Sequence, residues 1–156
     1  ALTKRLDSEQ RTPLHIAALS GSGVGMIRIL LAADAAPGPT DAEGRTPLHL
    51  AAATDSAQAP VQALLEAGAS ADSDDNAGNT PLILAAARST VPAVFDLLAD
   101  AADSPCAAND RGVSALDTLD ARRDAAIRDD TAPELPREQI AYWKLHERCR
   151  GGNGGE

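Results

Sequence analysis

Hydrophobic positions in this chain come as paired short blocks. The first block of each pair is a run of apolar and small residues, as in Pro13-Leu14-His15-Ile16-Ala17-Ala18. The second block reads Met26-Ile27-Arg28-Ile29-Leu30-Leu31, then Pro60-Val61-Gln62-Ala63-Leu64-Leu65, then Val94-Phe95-Asp96-Leu97-Leu98-Ala99. Apolar residues at spacings of three and four, broken by one polar residue, predict amphipathic helices. The pattern repeats with a fixed period. Arg11-Thr12-Pro13-Leu14-His15-Ile16-Ala17-Ala18 returns as Arg45-Thr46-Pro47-Leu48-His49-Leu50-Ala51-Ala52 and as Asn79-Thr80-Pro81-Leu82-Ile83-Leu84-Ala85-Ala86. A worn fourth copy reads Val113-Ser114-Ala115-Leu116-Asp117-Thr118-Leu119, and the starts at 11, 45, 79 and 113 are each 34 residues apart. Such a period is the mark of stacked supersecondary units.

Each octet has the chemistry of a helix start. Thr12, Thr46, Thr80 and Ser114 stand at the N-cap, where a side-chain oxygen can take up free N–H groups. Pro13, Pro47 and Pro81 follow at the first helical position, where a missing N–H costs nothing. Leu14, Leu48, Leu82 and Leu116 are predicted to point into a shared core, and the alanine pairs keep the helices slim enough to approach closely. The turns ahead of the octets, Asp41-Ala42-Glu43-Gly44, Asp75-Asn76-Ala77-Gly78 and Asn109-Asp110-Arg111-Gly112, open on Asp or Asn and close on Gly. Helices are predicted near 12–20 and 25–33, with counterparts one and two periods later. Pro60 and Pro92 belong in first turns, since an interior proline costs ~3 kcal/mol.

The octet resembles the hallmark of the ankyrin repeat, T-P-L-H-x-A, which stands here as Thr12–Ala17 and Thr46–Ala51. The resemblance covers residues 1–124 well and the remainder loosely. It implies an all-α solenoid of helix-turn-helix units with β-turn fingers. One departure is the 34-residue period against the usual 33; the extra residue is placed between the two helices, in 19–25, 53–59 and 87–93.

The organisation that follows is a lead-in loop over 1–10, three repeats over 11–112, a divergent capping repeat over 113–149 and a disordered tail over 150–156. In the cap Asp117 replaces the histidine, and the expected second block is delayed to Ile140-Ala141-Tyr142-Trp143-Lys144-Leu145. A 12-residue insertion around Arg122–Pro136 accounts for the delay, as a longer first helix followed by a loop. Terminal repeats are atypical because one face meets water. Ala1–Asp7 aligns with Ala35–Asp41, so the chain opens inside a repeat, and the native protein is expected to extend upstream of it, as a preceding repeat or a removed segment.

Composition narrows the function. One Phe, one Tyr and one Trp exclude an aromatic-filled core, and a formal net charge of −9 argues against a nucleic-acid ligand. No apolar run approaches the ~20 residues of a membrane span. Nucleophile-elbow and phosphate-loop patterns are missing, so no catalytic residue is assigned and the chain reads as a non-enzyme. No metal or cofactor is assigned either. His15 and His49 occupy equivalent positions, where the resemblance implies hydrogen bonds between neighbouring turns. His146 has no second histidine nearby. Asp72–Gly78 has a calcium-loop flavour but lacks the Gly and Glu that an EF-hand needs at its sixth and twelfth positions. Asp117, Asp120, Asp124, Asp129 and Asp130 read as a solvated face of the cap.

Cys106 and Cys149 leave two readings open. Two free thiols, with Cys149 turned inward, suit an intracellular protein; a disulfide tying the cap to the third repeat requires an oxidising, secreted or periplasmic setting.

The resemblance implies recognition of another protein by a monomer, through a concave face built of finger tips and first helices. The candidate partner-binding residues are Arg11, Glu43, Arg45, Asn76, Asn79, Arg88, Asp110 and Arg111. Arg11 and Arg45 on equivalent rungs, with Arg88 and Arg111, suggest a positive line facing an acidic partner. A scaffold or adaptor is the first reading, and a stoichiometric inhibitor such as an immunity protein the alternative. A spacer without ligand is a further class, and an enzyme or small-molecule binder ranks last.

Overall fold

Eight helices follow one another as four antiparallel pairs in the computed structural model, which describes residues 6–20, 23–54, 58–88, 91–128 and 138–150, the helical stretches 126–128 and 138–143 by backbone alone. They are α1 (Pro13–Leu19), α2 (Val24–Ala32), α3 (Pro47–Ala52), α4 (Gln58–Glu66), α5 (Pro81–Arg88), α6 (Pro92–Ala101), α7 (Ala115–Arg128) and α8 (Glu138–Arg150). First helices pack in series, α1 on α3 on α5 on α7, and second helices do the same, α2 on α4 on α6 on α8. The result is a two-layered all-α stack, with no strand among the described residues and one isolated bridge, Ala108 with Ser114.

The first helices are short because their sequences start and stop them early. α1 and α3 each begin with proline after a threonine in extended conformation, at ψ 164° and 166°. Their buried faces carry Leu14 and Leu48, at 1% and 0% exposure, beside fully buried Ala18, Ala51 and Ala52. With these alanines fully buried, a larger side chain there would push successive repeats apart. The second helices supply the rest of the core through Ile27, Val61, Leu64, Val94, Phe95 and Leu98. α2 and α4 stop in the same way, at a residue with positive φ: Asp34 at 60° and Gly68 at 86°. Ala35 N then donates to Leu30 O and Ala69 N to Leu64 O, both at 3.0 Å, closing the last helical turn.

The last helix pair differs from the three before it. α7 runs for 14 residues where α1 has seven. Leu116 and Leu145 are buried at 4% and 3%, sealing the third repeat on both layers. Polar groups reinforce that seal: Arg122 Nη1 donates to Ala86 O at 2.9 Å and Arg148 Nη1 to Ala99 O at 2.7 Å. Cys106, in the loop after α6, is joined to Cys149 near the end of α8 by a disulfide, with Cα atoms 5.4 Å apart. Of the sequence-based expectations, the lead-in over 1–5, part of each inter-helix link, the loop over 129–137 and the tail over 151–156 lie outside the described residues.

Candidate recognition surface

Between successive repeats the chain folds into four fingers, and each is built by one side chain. Asp7 Oδ1 accepts from Glu9 N and Arg11 N, both at 2.9 Å. Asp41 Oδ1 does the same for Glu43 N and Arg45 N, and Asp75 Oδ1 for Ala77 N and Asn79 N. Asn109 Oδ1 accepts from Arg111 N and Val113 N, both at 3.0 Å. Asp and Asn are suited to this because a short side chain ending in an acceptor reaches the backbone two residues on. Each finger closes with a residue at positive φ: Gln10 at 59°, Gly44 at 76°, Gly78 at 72° and Gly112 at 74°.

The fingers are bonded to one another in strict register. Ala42 N donates to Glu9 O, Asn76 N to Glu43 O and Asp110 N to Ala77 O, at 2.9, 2.9 and 3.2 Å. Glycine is demanded here twice over. A Cβ at Gly44 would collide with the side chain and amide of Asn76, and one at Gly78 with those of Asp110. Asn76 Nδ2 adds a bond to Ala42 O at 3.1 Å.

Histidine brackets run beneath the ladder. Thr12 N donates to His15 Nδ1 at 3.1 Å, so Nε2 carries the ring proton and donates to Arg45 O, 2.9 Å away in the next repeat. Thr46, His49 and Asn79 repeat the arrangement with the same distances. Both rings are fully buried, and burial holds both imidazoles below the ordinary histidine range. The third repeat has Ile83 at this position and substitutes a side-chain bridge, Asn109 Nδ2 to Asn79 Oδ1 at 2.8 Å. In the cap Asp117 turns back on its own helix start, accepting from Ser114 N at 2.9 Å and Ser114 Oγ at 2.6 Å. An aspartate suffices there because no fifth finger stands beyond it among the described residues.

The candidate partner residues divide into two groups. Arg11, Arg45 and Asn79 are half-buried and hold the fingers in shape. Arg11 pairs with Asp7 at 2.8 Å and Glu9 at 2.9 Å; Arg45 pairs with Asp41 at 2.8 Å and Glu43 at 2.7 Å. Asn79 Nδ2 donates to the Asp75 carboxylate. Burial alone would raise the Asp41 carboxyl, but the Arg45 guanidinium and backbone N–H outweigh it and hold the pKa below the ordinary value. The second group is exposed: Glu43, Asn76, Asp110 and Arg111 at the tips, and Arg88 at the end of α5. Arg88 and Arg111 make no ion pair among the described residues.

The charge expected of this surface is corrected by these pairs. Arg11 faces two carboxylates and Arg45 another two, so the first two fingers carry one excess negative charge each rather than a positive line. Sequence reasoning missed this because Asp41 and Glu43 stand in a turn and Asp7 and Glu9 in the lead-in loop, where turn chemistry alone does not pair them with an arginine. The signal was the shared spacing, Asp-x-Glu-x-Arg, in both fingers. It also missed Asp72, whose carboxylate accepts from Asp103 N and Ser104 N at 2.8 and 2.9 Å and so ties the second repeat's loop to the third's. That bond and the finger role of Asp75 account for two of the carboxylates in the calcium-like stretch.

The profile of ankyrin repeats matches residues 14–110 in three copies. No individual curated protein matches the chain. Profile, period, finger ladder and helical pairs agree, and the chain belongs to the ankyrin repeat family.

Proposed function

We propose that this stack binds a partner protein through its finger tips and first helices, as a scaffold or adaptor. Ankyrin repeats are generally protein–protein interaction modules. The observation that carries the finer reading is the bonded finger ladder. Three backbone bonds in 34-residue register fix the spacing of Glu43, Asn76 and Asp110 before any partner arrives. A surface already ordered loses less entropy on association than one that must be immobilised. The tips then supply contacts by Glu43, Asn76, Asp110, Arg111 and the deeper Arg88, while Arg11, Arg45 and Asn79 keep their geometry. Since the first two fingers lean negative, the partner presents donors or basic groups to them, and acidic groups only near Arg88 and Arg111.

The disulfide favours a second reading. Such bonds persist in oxidising compartments and are rare in the cytosol. A compact, acidic stack working there suits a stoichiometric inhibitor or immunity protein of a secreted or periplasmic enzyme. Affinity capture with the oxidised protein tests both readings. Glu43→Lys combined with Arg88→Glu is expected to abolish retention of the partner without changing the helical spectrum. Arg28→Glu, on the exposed side of α2, is expected to retain it. Loss of binding with Arg28→Glu alone assigns the partner to the second-helix face instead. A captured enzyme that loses activity in the complex identifies the inhibitor, and one that stays active the adaptor.

A further inference from the structure

Among the residues whose side chains are described, the large exposed hydrophobic ones are concentrated at one end of the stack. Leu6, Ile16, Leu19, Met26 and Ile29 are 59%, 45%, 41%, 54% and 64% exposed, and Val113 alone of the group lies beyond the first repeat. Scattered exposed leucines need no explanation, but a clustered set does. Comparison across the 34-residue register explains three of them. The counterpart of Ile16 in the second repeat is Leu50, 4% exposed; that of Met26 is Pro60, fully buried; that of Ile29 is Ala63, 5% exposed. One period further on, Leu84 and Leu97 are half-buried and Val94 is fully buried. The same gradient runs through Pro13, half-buried, against Pro47 and Pro81, both buried, and through Leu30 against fully buried Leu64 and Leu98. These positions are covered wherever another repeat stands before them.

The finger ladder stops at the same end. Ala42, Asn76 and Asp110 each donate a backbone N–H to the preceding finger. Their equivalent in the first finger is Ser8, whose N–H has no acceptor among the described residues. Arg45 O and Asn79 O each accept from the histidine of the preceding repeat. Their equivalent, Arg11 O, takes only the Asp7 N–H of its own finger among the described residues. Among the described residues an apolar face, an unmatched donor and a half-used acceptor thus coincide, in the register of the internal joints.

We infer that a further ankyrin-type repeat of the same polypeptide stacks on the α1–α2 face, N-terminal to Leu6, and continues both the core and the ladder. A second copy of this chain is a poor occupant. The complementary surface is the trailing face of a repeat, and in this chain α7 and α8 cover that face on α5 and α6. Two copies meeting by their leading faces would set donor Ser8 against donor Ser8. A separate single repeat is poor as well, since one repeat cannot bury its own face and needs neighbours to fold.

The test places one more period ahead of the chain, a copy of residues 35–68 joined to residue 1 in register, and compares it with the 156-residue protein. The extended protein is expected to unfold in one transition at a higher denaturant midpoint, with the Ser8 amide protected at least tenfold in hydrogen exchange. Binding of a hydrophobic dye by the shorter chain is expected to fall on extension. Ile29→Glu is expected to leave the midpoint of the 156-residue chain unchanged and to cancel the gain in the extended one. An added repeat that melts separately, with Ser8 unprotected, overturns the inference. So does a concentration-dependent dimer of the 156-residue chain that Ile29→Glu dissolves in sedimentation, which would assign the face to a second copy.

Discussion

At the scale of single residues, the four finger closures form a natural series. Gln10 occupies a left-handed conformation at φ 59° that Gly44, Gly78 and Gly112 adopt at 72–76°. A side chain with Cβ pays roughly 1–2 kcal/mol in that region. By the 34-residue register Ala42 stands opposite position 10, with a smaller side chain than the Asn76 that Gly44 faces or the Asp110 that Gly78 faces. Gln10→Gly is therefore expected to raise stability by about 0.5–1 kcal/mol, after the entropy that glycine adds to the unfolded chain. Gly44→Ala is expected to lower it by at least ~1 kcal/mol, since strain and collision with Asn76 act together. Chemical denaturation of the two variants checks the sign of each.

The histidine brackets make a separate prediction in pH. Burial lowers the folded pKa of His15 and His49 below 6.5, because the ring must stay neutral for Nδ1 to accept from Thr12 N or Thr46 N. The unfolded chain then binds protons more readily than the folded one. Their contribution to stability is complete above 6.5 and drains away as pH falls toward the depressed folded values. Each histidine steepens the loss by up to about 1.4 kcal/mol per pH unit in that window. Asp7 and Asp41, whose carboxyls are also held low, add a second loss that begins only below 3.8. Denaturation midpoints between pH 7 and 5 are expected to fall in the parent and to be nearly flat in a His15→Gln, His49→Gln double variant.

At the scale of elements, burial decides which substitutions matter. Leu48 is 0% exposed between the first and third repeats, and truncation to alanine is expected to cost ~2–5 kcal/mol. Glu43→Ala removes one exposed ion pair at a finger tip and is expected to cost less than ~1 kcal/mol, whereas Asp117→Ala strips the start of α7 and costs ~0.5–2 kcal/mol. Equal midpoint shifts for Leu48→Ala and Glu43→Ala would place the repeat register wrongly. Helix positions were legible in the sequence within about two residues, because Thr-Pro starts and apolar spacing are local signals. The long α7 was legible too, from the delay before Ile140. Two things were not. Whether Cys106 and Cys149 meet depends on how α8 lies over α6, which no local pattern encodes. The pairing of Arg11 and Arg45 with their own fingers was hidden because an exposed arginine near a turn looks the same whether or not its guanidinium is held.

At the scale of the whole molecule, the α7–α8 pair and the disulfide hold the end of the stack opposite the α1–α2 face. The bond spans 43 residues of sequence and joins the loop after α6 to the end of α8. In the chain-entropy account a loop of that length contributes about 4 kcal/mol. Reduction is expected to lower the melting midpoint, and amides of α8 to exchange faster before those of α3 and α5. Removal of residues 113–156 uncovers Leu82, Phe95 and Leu98, all now 5% exposed or less, and is expected to leave a protein that self-associates. The fourth finger closes on Val113 and Ser114 at the start of the cap, whereas the tips at 42–44 and 76–78 belong to earlier repeats, so recognition by those two is expected to survive any loosening of α8 that leaves the ladder bonded.

Hydrogen exchange of the oxidised protein, free and bound to its captured partner, tests the recognition claim most directly. The account predicts new protection along the finger tips 42–44, 76–78 and 110–112 and at the end of α5 around Arg88, with α2, α4 and α6 unchanged. Protection confined to those second helices, with the finger tips exchanging as they do in the free protein, would contradict it.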